Sequence, residues 1–399
     1  MANFVTHTGW RASGATLRYS SICHRTWPSV PACRNAPSSI TTHIQRRSLF
    51  VMPTGFEVGL LGVAAYHFTK LSKPNPSNVL SIFGPDPRSQ SAEKDDEKVV
   101  QCIAHRGAGL DAPENTLEAF RYCVEKDCNF IEMDVRSLKD GKLVLLHDAG
   151  LQRLAKSNIT NIRTVDWDEI KNIDIGAKHP NRHNFKDVRP CLLDDALDFL
   201  LSNKVRMILD VKGDDKEVIN GIVDTYKKRP ELHKYAAVTC FNPIVLYQIR
   251  RQDPDIVGAM SYRPHCFSSA SYDAESGPTN PRLSDNAVVQ WSLRCVDALH
   301  AGTWRWPARW CHVSAVLLHK DVVSSQEVIY WHSLGVRCIG WSVNRPLDKL
   351  YWRGVLKAAY LANTLIGEPD VMTLYLYFVK ENAEKKLHVC LFFFSAMTC

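Results

Sequence analysis

Four short motifs crowd into the 47 residues from Cys102 to Asp148: His105-Arg106-Gly107, Pro113-Glu114-Asn115-Thr116, Glu132-Met133-Asp134 and His147-Asp148. They bring two imidazoles, a guanidinium and several acids to the ends of short apolar runs. Imidazoles exchange protons near neutral pH, a planar guanidinium matches a phosphoryl group, and carboxylates bind hard divalent cations. The combination suits a site for a phosphate and a metal.

The elements that must position these groups are legible around them. Ile103 and Ala104 lead into His105 as a buried strand does at its end, and Gly107 with Gly109 then opens a loop, where side chains face a ligand. Residues 130–135 alternate with period two, so Glu132 and Asp134 project from one face about 7 Å apart, within reach of one shared cation. Residues 142–148 form another apolar run ending in the pair His147-Asp148. Each motif alone has an ordinary explanation. A lone histidine is usually a core or rim residue, and an alternating acid usually marks a solvated strand face. Their coincidence argues otherwise, because acids inside apolar runs must be paired or metal-bound when buried.

Taken in this order, the motifs resemble the glycerophosphodiester phosphodiesterase family. Asp210-Val211-Lys212, Phe241-Asn242-Pro243 and Trp341-Ser342-Val343-Asn344 add weaker support. The likeness spans residues 100–370 and leans toward the membrane-bound animal branch that handles glycerophosphoinositol and related lysolipids, through residues 209–212, Val313-Ser314-Ala315 and Lys320-Asp321. It implies a TIM-barrel-like α/β phosphodiesterase domain that releases glycerol 3-phosphate and an alcohol. By position, His105 and His147 would be the general acid and base, and Arg106 and Lys212 would hold the phosphate. Glu132, Asp134 and Asp210 would bind one Mg²⁺ or Ca²⁺, with His147 beside the cation and Glu114, Asp148 and Trp341 in support. The implied chemistry uses the substrate's own glycerol hydroxyl as first nucleophile and opens a cyclic phosphate with water, so no Ser or Cys nucleophile is required. A lysophospholipase D-type hydrolase at the same site is one alternative, and a degenerate barrel binding a phosphodiester or a protein is another. Three positions depart from the pattern: Asp210 stands where Glu is usual, Arg136 where the branch has an acid, and Ala362-Asn363 where Thr-Asp is expected.

Beyond the site, the chain reads as a βα series. Strands are expected over 99–104, 130–135, 143–147, 205–211, 236–240, 256–260, 313–318 and 338–343, and helices over 116–126, 192–201, 217–228, 244–251 and 327–333. Alternation of this kind favours a parallel barrel. Asn115 is the expected N-cap of the first helix, with Glu118 completing a capping box. Asp140-Gly141 is too short for a parallel crossover and predicts a local antiparallel hairpin. Residues 150–190, rich in His, Asn and Asp, read as a lid or inserted segment.

The organisation expected is a basic leader (1–56), an anchor and linker (57–98), the barrel (99–370, with an insertion at about 262–312) and a divergent tail (371–399). The formal charge of +7 does not point to nucleic acid. Residues 1–56 hold six Arg, no Lys and no acid, which leaves the rest of the chain nearly neutral. Such a leader resembles a mitochondrial transit peptide. Residues 58–66 are apolar and make a borderline membrane anchor, since a clean span needs about 20 apolar residues. An endomembrane or plasma-membrane association is therefore expected, with mitochondria as the alternative. Trp291, Trp304, Trp306 and Trp310, interleaved with Arg294, Arg305 and Arg309, suit either a lipid interface or an ordinary helical cap packed on the barrel. The 13 Cys include no C-x-x-C pair and are odd in number, against a zinc ribbon or a complete disulfide framework.

Overall fold

The computed structural model describes residue 66 and residues 68–89, 99–273 and 276–367. The expected leader, most of the apolar stretch 58–66, the charged run 93–98 and the tail 371–399 lie outside the described residues.

The strands are, in chain order, β1 (Cys102–His105), β2 (Phe130–Ser137), β3 (Leu143–Leu145), β4 (Arg206–Val211), β5 (Ala236–Cys240), β6 (Val257–Tyr262), β7 (Ser269–Asp273), β8 (Gly277–Pro281), β9 (Ala315–His319), β10 (Arg337–Trp341) and β11 (Ala359–Ala362). Eight pair in parallel in the cyclic order β1-β2-β4-β5-β6-β9-β10-β11, and β11 returns to β1. The sheet is a closed barrel, so its backbone groups are satisfied without an open edge. β3 adds antiparallel to β2 through Asp140-Gly141, as the short turn predicts. β7 and β8 form a separate hairpin within the connection from β6 to β9.

Alternation along the strands divides the core. Phe130, Ile208, Ala237, Ala259, Ala315, Leu317, Ile339 and Leu361 form one buried cluster, the barrel filling. Their neighbours Ile131, Met133, Leu209 and Val238 face outward into a second cluster with the helices. The helices are α1 (Pro76–Phe83), which precedes the barrel, then α2 (Leu117–Glu125), α3 (Leu193–Ser202), α4 (Lys216–Lys228), α5 (Pro243–Gln252), α6 (Ala287–Thr303) and α7 (Ser325–Ser333), with shorter turns between them. Phe120, Leu197, Ile222, Leu246 and Trp331 carry their apolar faces into that second cluster. Each such buried side chain contributes about 1.5–3 kcal/mol.

Three expectations are corrected. The linker expected within 57–98 is more than a connection: Asn75 caps α1, and Ile82 and Phe83 at its end join the barrel filling, with the Phe83 and Phe130 rings 6.0 Å apart. The N-cap of α2 is Thr116, whose side chain accepts from the Ala119 N–H; Asn115 has another task. Residues 150–190 are less an open lid than a small packed unit, in which Leu151, Ile162, Ile170 and Val188 bury against Val144 and Leu146.

Candidate active site

Strand register assembles the centre. His105 lies beside Glu132 across β1 and β2, and Asp134 beside Asp210 across β2 and β4. Because alternate residues share a face, Glu132, Asp134 and Asp210 point into the barrel above Phe130 and Ile208. All three are buried, and carboxylate oxygens from each lie within 4.8 Å of one another. Asp210 Oδ1 is buried and accepts no hydrogen bond. Three convergent carboxylates with a spare oxygen fit a hard divalent cation, which takes oxygen ligands.

The electrostatics agree. Burial pushes the Glu132 carboxyl well up, and the charges of Asp134 and Asp210 add to it. Burial also raises Asp210. Asp134 goes the other way: against its burial, Lys212 and Arg106 hold it well below the usual carboxylate range. Lys212 Nζ reaches Asp134 at 3.0 Å and Asp210 at 2.5 Å, while Arg106 Nε meets Asp134 at 3.1 Å. With all three acids ionised, two fixed cations leave one negative charge. A divalent cation would reverse this to one positive charge, the complement of a phosphodiester monoanion.

The loop after β1 is bent to deliver Arg106. Arg106, Ala108 and Asn115 all adopt left-handed backbone conformations, with φ of 55°, 62° and 59°, the kind of local strain that persists where surrounding structure over-determines it. Gly107 has φ 75°, and a Cβ there would lie 2.9 Å from that of Ala119, so this position needs glycine. The Arg106 N–H donates to Glu132 Oε2 at 3.0 Å, and its guanidinium donates to Glu114 Oε1 at 3.1 Å. Asn115 grips Asp134 twice: its side-chain amide donates to Oδ2 at 2.8 Å, and its carbonyl oxygen accepts the Asp134 N–H at 3.0 Å.

The two histidines have different partners. His105 Nδ1 is 2.5 Å from Asn363 Oδ1, and its Nε2 is 3.7 Å from Glu132. Burial, with the Arg106 charge beside it, pushes this imidazole down to about 3. His147 is one-third exposed, and its Nδ1 lies 2.7 Å from Asp148 Oδ1. It is not among the atoms that converge on the metal position. Its backbone carbonyl accepts from Arg136 Nε and Nη2, at 2.9 and 2.7 Å.

Arg153, absent from the expected set, ties the periphery together. It donates to both Glu114 oxygens, at 2.7 and 2.8 Å, and to Asp148 Oδ2 at 2.6 Å. One side chain thus links the acid that holds Arg106 to the acid that holds His147. Against their burial, Arg153 keeps Glu114 below the usual carboxylate range, and the His147 hydrogen bond together with Arg153 does the same for Asp148. Trp341 ends β10 beside Phe241, 6.3 Å away, and His319, 4.5 Å away; Lys212 Nζ lies 5.6 Å over the Phe241 ring. An aromatic wall therefore adjoins the carboxylates.

The family model of the glycerophosphoryl diester phosphodiesterases matches residues 105–363, from the first histidine to its amide partner. The chain belongs to this family. Among its relatives, glycerophosphodiester phosphodiesterase 1 of Homo sapiens is 27% identical over 279 residues, covering 67% of this chain and 79% of that protein. The Mus musculus protein of the same name is 28% identical over 273 residues, with the same coverage. In fold, the chain is similar to an Oleispira antarctica phosphodiesterase solved with the product sn-glycerol-3-phosphate, at TM-score 0.51 and 18% identity over 66% of this chain and 92% of that one. As a family member the protein is a phosphoric diester hydrolase acting on glycerophosphodiesters, and the non-enzymatic alternative falls away.

Proposed function

We propose that this phosphodiesterase hydrolyses glycerophosphodiesters such as glycerophosphoinositol to glycerol 3-phosphate and an alcohol, with one Mg²⁺ or Ca²⁺ held by Glu132, Asp134 and Asp210, and that it works at a membrane. The observation that carries the reading is the convergence of three buried carboxylates, Arg106 and Lys212 beside a neutral His105.

A cation bound there supplies charge neutralisation for the phosphoryl oxygens. Arg106, braced by Glu114 and Asp134, holds the phosphoryl group and stabilises charge that grows in the transition state. Lys212 adds positive charge from β4. His105 donates Nδ1–H to Asn363 and keeps Nε2 free to take a proton from the substrate's own attacking hydroxyl, and it returns that proton to the same oxygen when water, deprotonated by His147, opens the cyclic phosphate. His147, oriented by Asp148 and Arg136, gives a proton to the departing alcohol. Acid and base roles follow from two imidazoles in unlike surroundings.

A lysophospholipase D-type activity is the second reading. The aromatic wall of Phe241 and Trp341 favours it, because apolar rings beside the phosphate can accompany an acyl chain. Membrane association draws on the apolar stretch 58–66 and on likeness to the animal branch; no helix among the described residues is long and apolar enough to cross a membrane.

The test is a substrate panel with the full chain: glycerophosphoinositol, glycerophosphocholine and a lysophospholipid, with products assigned by ³¹P NMR. Glycerol 3-phosphate from the deacylated diesters supports the first reading. Turnover of the lysophospholipid alone supports the second.

A further inference from the structure

The connection from β6 to β9 carries a helix whose polarity is reversed. In α6, Val288, Trp291, Cys295 and Leu299 recur at i, i+3, i+7 and i+11, the spacing of one helical stripe. Val288, Trp291 and Leu299 are 71%, 68% and 68% exposed. On the opposite side Asp297 is buried and accepts the N–H groups of Phe267 and Ser268, at 2.9 and 3.0 Å. His300 packs on Tyr262 and Phe267. The body of the protein therefore takes the polar side of α6, and solvent meets the apolar stripe. An ordinary surface helix has the opposite arrangement, and contiguous exposed apolar surface marks an interaction site.

Two observations indicate what covers it. The exposed charges over 282–310 are Arg282, Arg294 and Arg309 against the single acid Asp285, since Asp297 is buried and Arg305 pairs with Glu327. The surface is basic and complements an anionic one. Trp306, exposed in the next helical turn, sits 5.6 Å from Tyr66, the last residue of the apolar stretch 58–66. The helix also belongs to the mouth of the barrel: Tyr272, on the hairpin before it, lies 5.4 Å from His319, which packs on Trp341.

We infer that α6 docks the enzyme on an anionic phospholipid surface, with Val288, Trp291 and Leu299 among the acyl chains and Arg294 at the headgroups. An in-plane helix with an apolar stripe and flanking Arg has this mode of binding. The inference rests on the reading that the enzyme works at a membrane, and it names the surface responsible.

Hydrogen exchange of the full chain, alone and with vesicles of phosphatidylcholine or of phosphatidylcholine with phosphatidylserine, tests it. The expected result is slowed exchange across 287–303 on the anionic vesicles and little change on the neutral ones. The variant V288D/W291D/L299D should lose that protection and bind anionic vesicles at least about tenfold more weakly, while hydrolysing soluble glycerophosphoinositol without vesicles at the wild-type rate. Arg294→Glu, which touches no apolar contact, should weaken binding about fivefold. Unchanged exchange across 287–303 on anionic vesicles would overturn the inference even if the chain binds them through its N-terminal stretch. Protection that instead rises with protein concentration in the absence of lipid would also overturn it, assigning the stripe to a second copy. Turnover of the soluble diester reports the hydrolase reading independently.

Discussion

The two halves of the active site are built differently. On the His105 side, a largely buried ring faces a neutral amide, beside three carboxylates at barrel-strand positions and a loop with three left-handed residues other than glycine. On the His147 side, a half-open ring faces a carboxylate, and its support is a surface clamp of Arg136, Asp148 and Arg153. The first half is fixed by the barrel and its charge state by burial. The second is fixed by hydrogen bonds that water can reach. The difference separates a base kept neutral from an acid kept oriented.

The largest effect should come from breaking the buried half. His105→Ala should lower kcat/KM for glycerophosphoinositol by about 10³–10⁴-fold with an unchanged circular dichroism spectrum. His147→Ala should cost a comparable amount for substrates with a poor leaving group, and less for an aryl diester whose phenolate needs no proton. Steady-state rates on the two substrate types check both statements; equal losses on the aryl diester would remove the distinction.

The open half should bend before it breaks. Arg136→Ala or Arg153→Ala should each reduce kcat about 10–100-fold, as losses of supporting hydrogen bonds do, with Arg153→Lys recovering part because Lys supplies charge but no fork. Arg153→Ala should also raise KM, since Glu114 loses a partner that helps it brace Arg106.

How far these halves were legible in the sequence differs in the same way. Glu132 and Asp134 could be read because period two forces them to one face, and β3 because Asp140-Gly141 admits only a hairpin. Asp210 and Lys212 were placed by the likeness to the family, at the end of a strand that the sequence does predict. Arg136 and Arg153 could not be read, since their partners lie across a hairpin and a loop, where no period relates them. Arg136 lies on the same face as Asp134, and the β2–β3 register offered the one available clue to its contact with the His147 carbonyl. Asn115 was misread because a capping residue and a carboxylate clamp look alike in sequence. Asn363 stood out as a departure from the family pattern, yet it fills the place beside His105. The reversed polarity of α6 needed the fold to say which side meets the body.

Smaller effects sharpen the contrast. Asn363→Asp would put a carboxylate beside His105 and raise its pKa, so the acidic limb of the pH–rate profile should move about one unit toward higher pH, with the alkaline limb unmoved. Stability carries the same signature. His105 has a folded pKa of about 3 against 6.5 for the free ring, so the unfolded chain binds an extra proton between those values. The stability that neutral His105 contributes is complete above pH 6.5 and is lost as pH falls toward 3. Urea titrations should show His105→Asn flattening that slope by one proton.

The carboxylate triad tests the account most directly. Glu132 and Asp210 both hold protons more tightly in the protein than free carboxyls do, so a cation bound to them competes with protons and its binding should release them. Calorimetric titration of chelator-stripped protein with Mg²⁺ and with Ca²⁺, in buffers of different ionisation enthalpy, reads affinity and proton release together. One site per chain, proton release, affinity that climbs with pH, and loss of all three in Asp210→Asn are predicted. Full hydrolysis by stripped protein that binds neither ion would contradict the account.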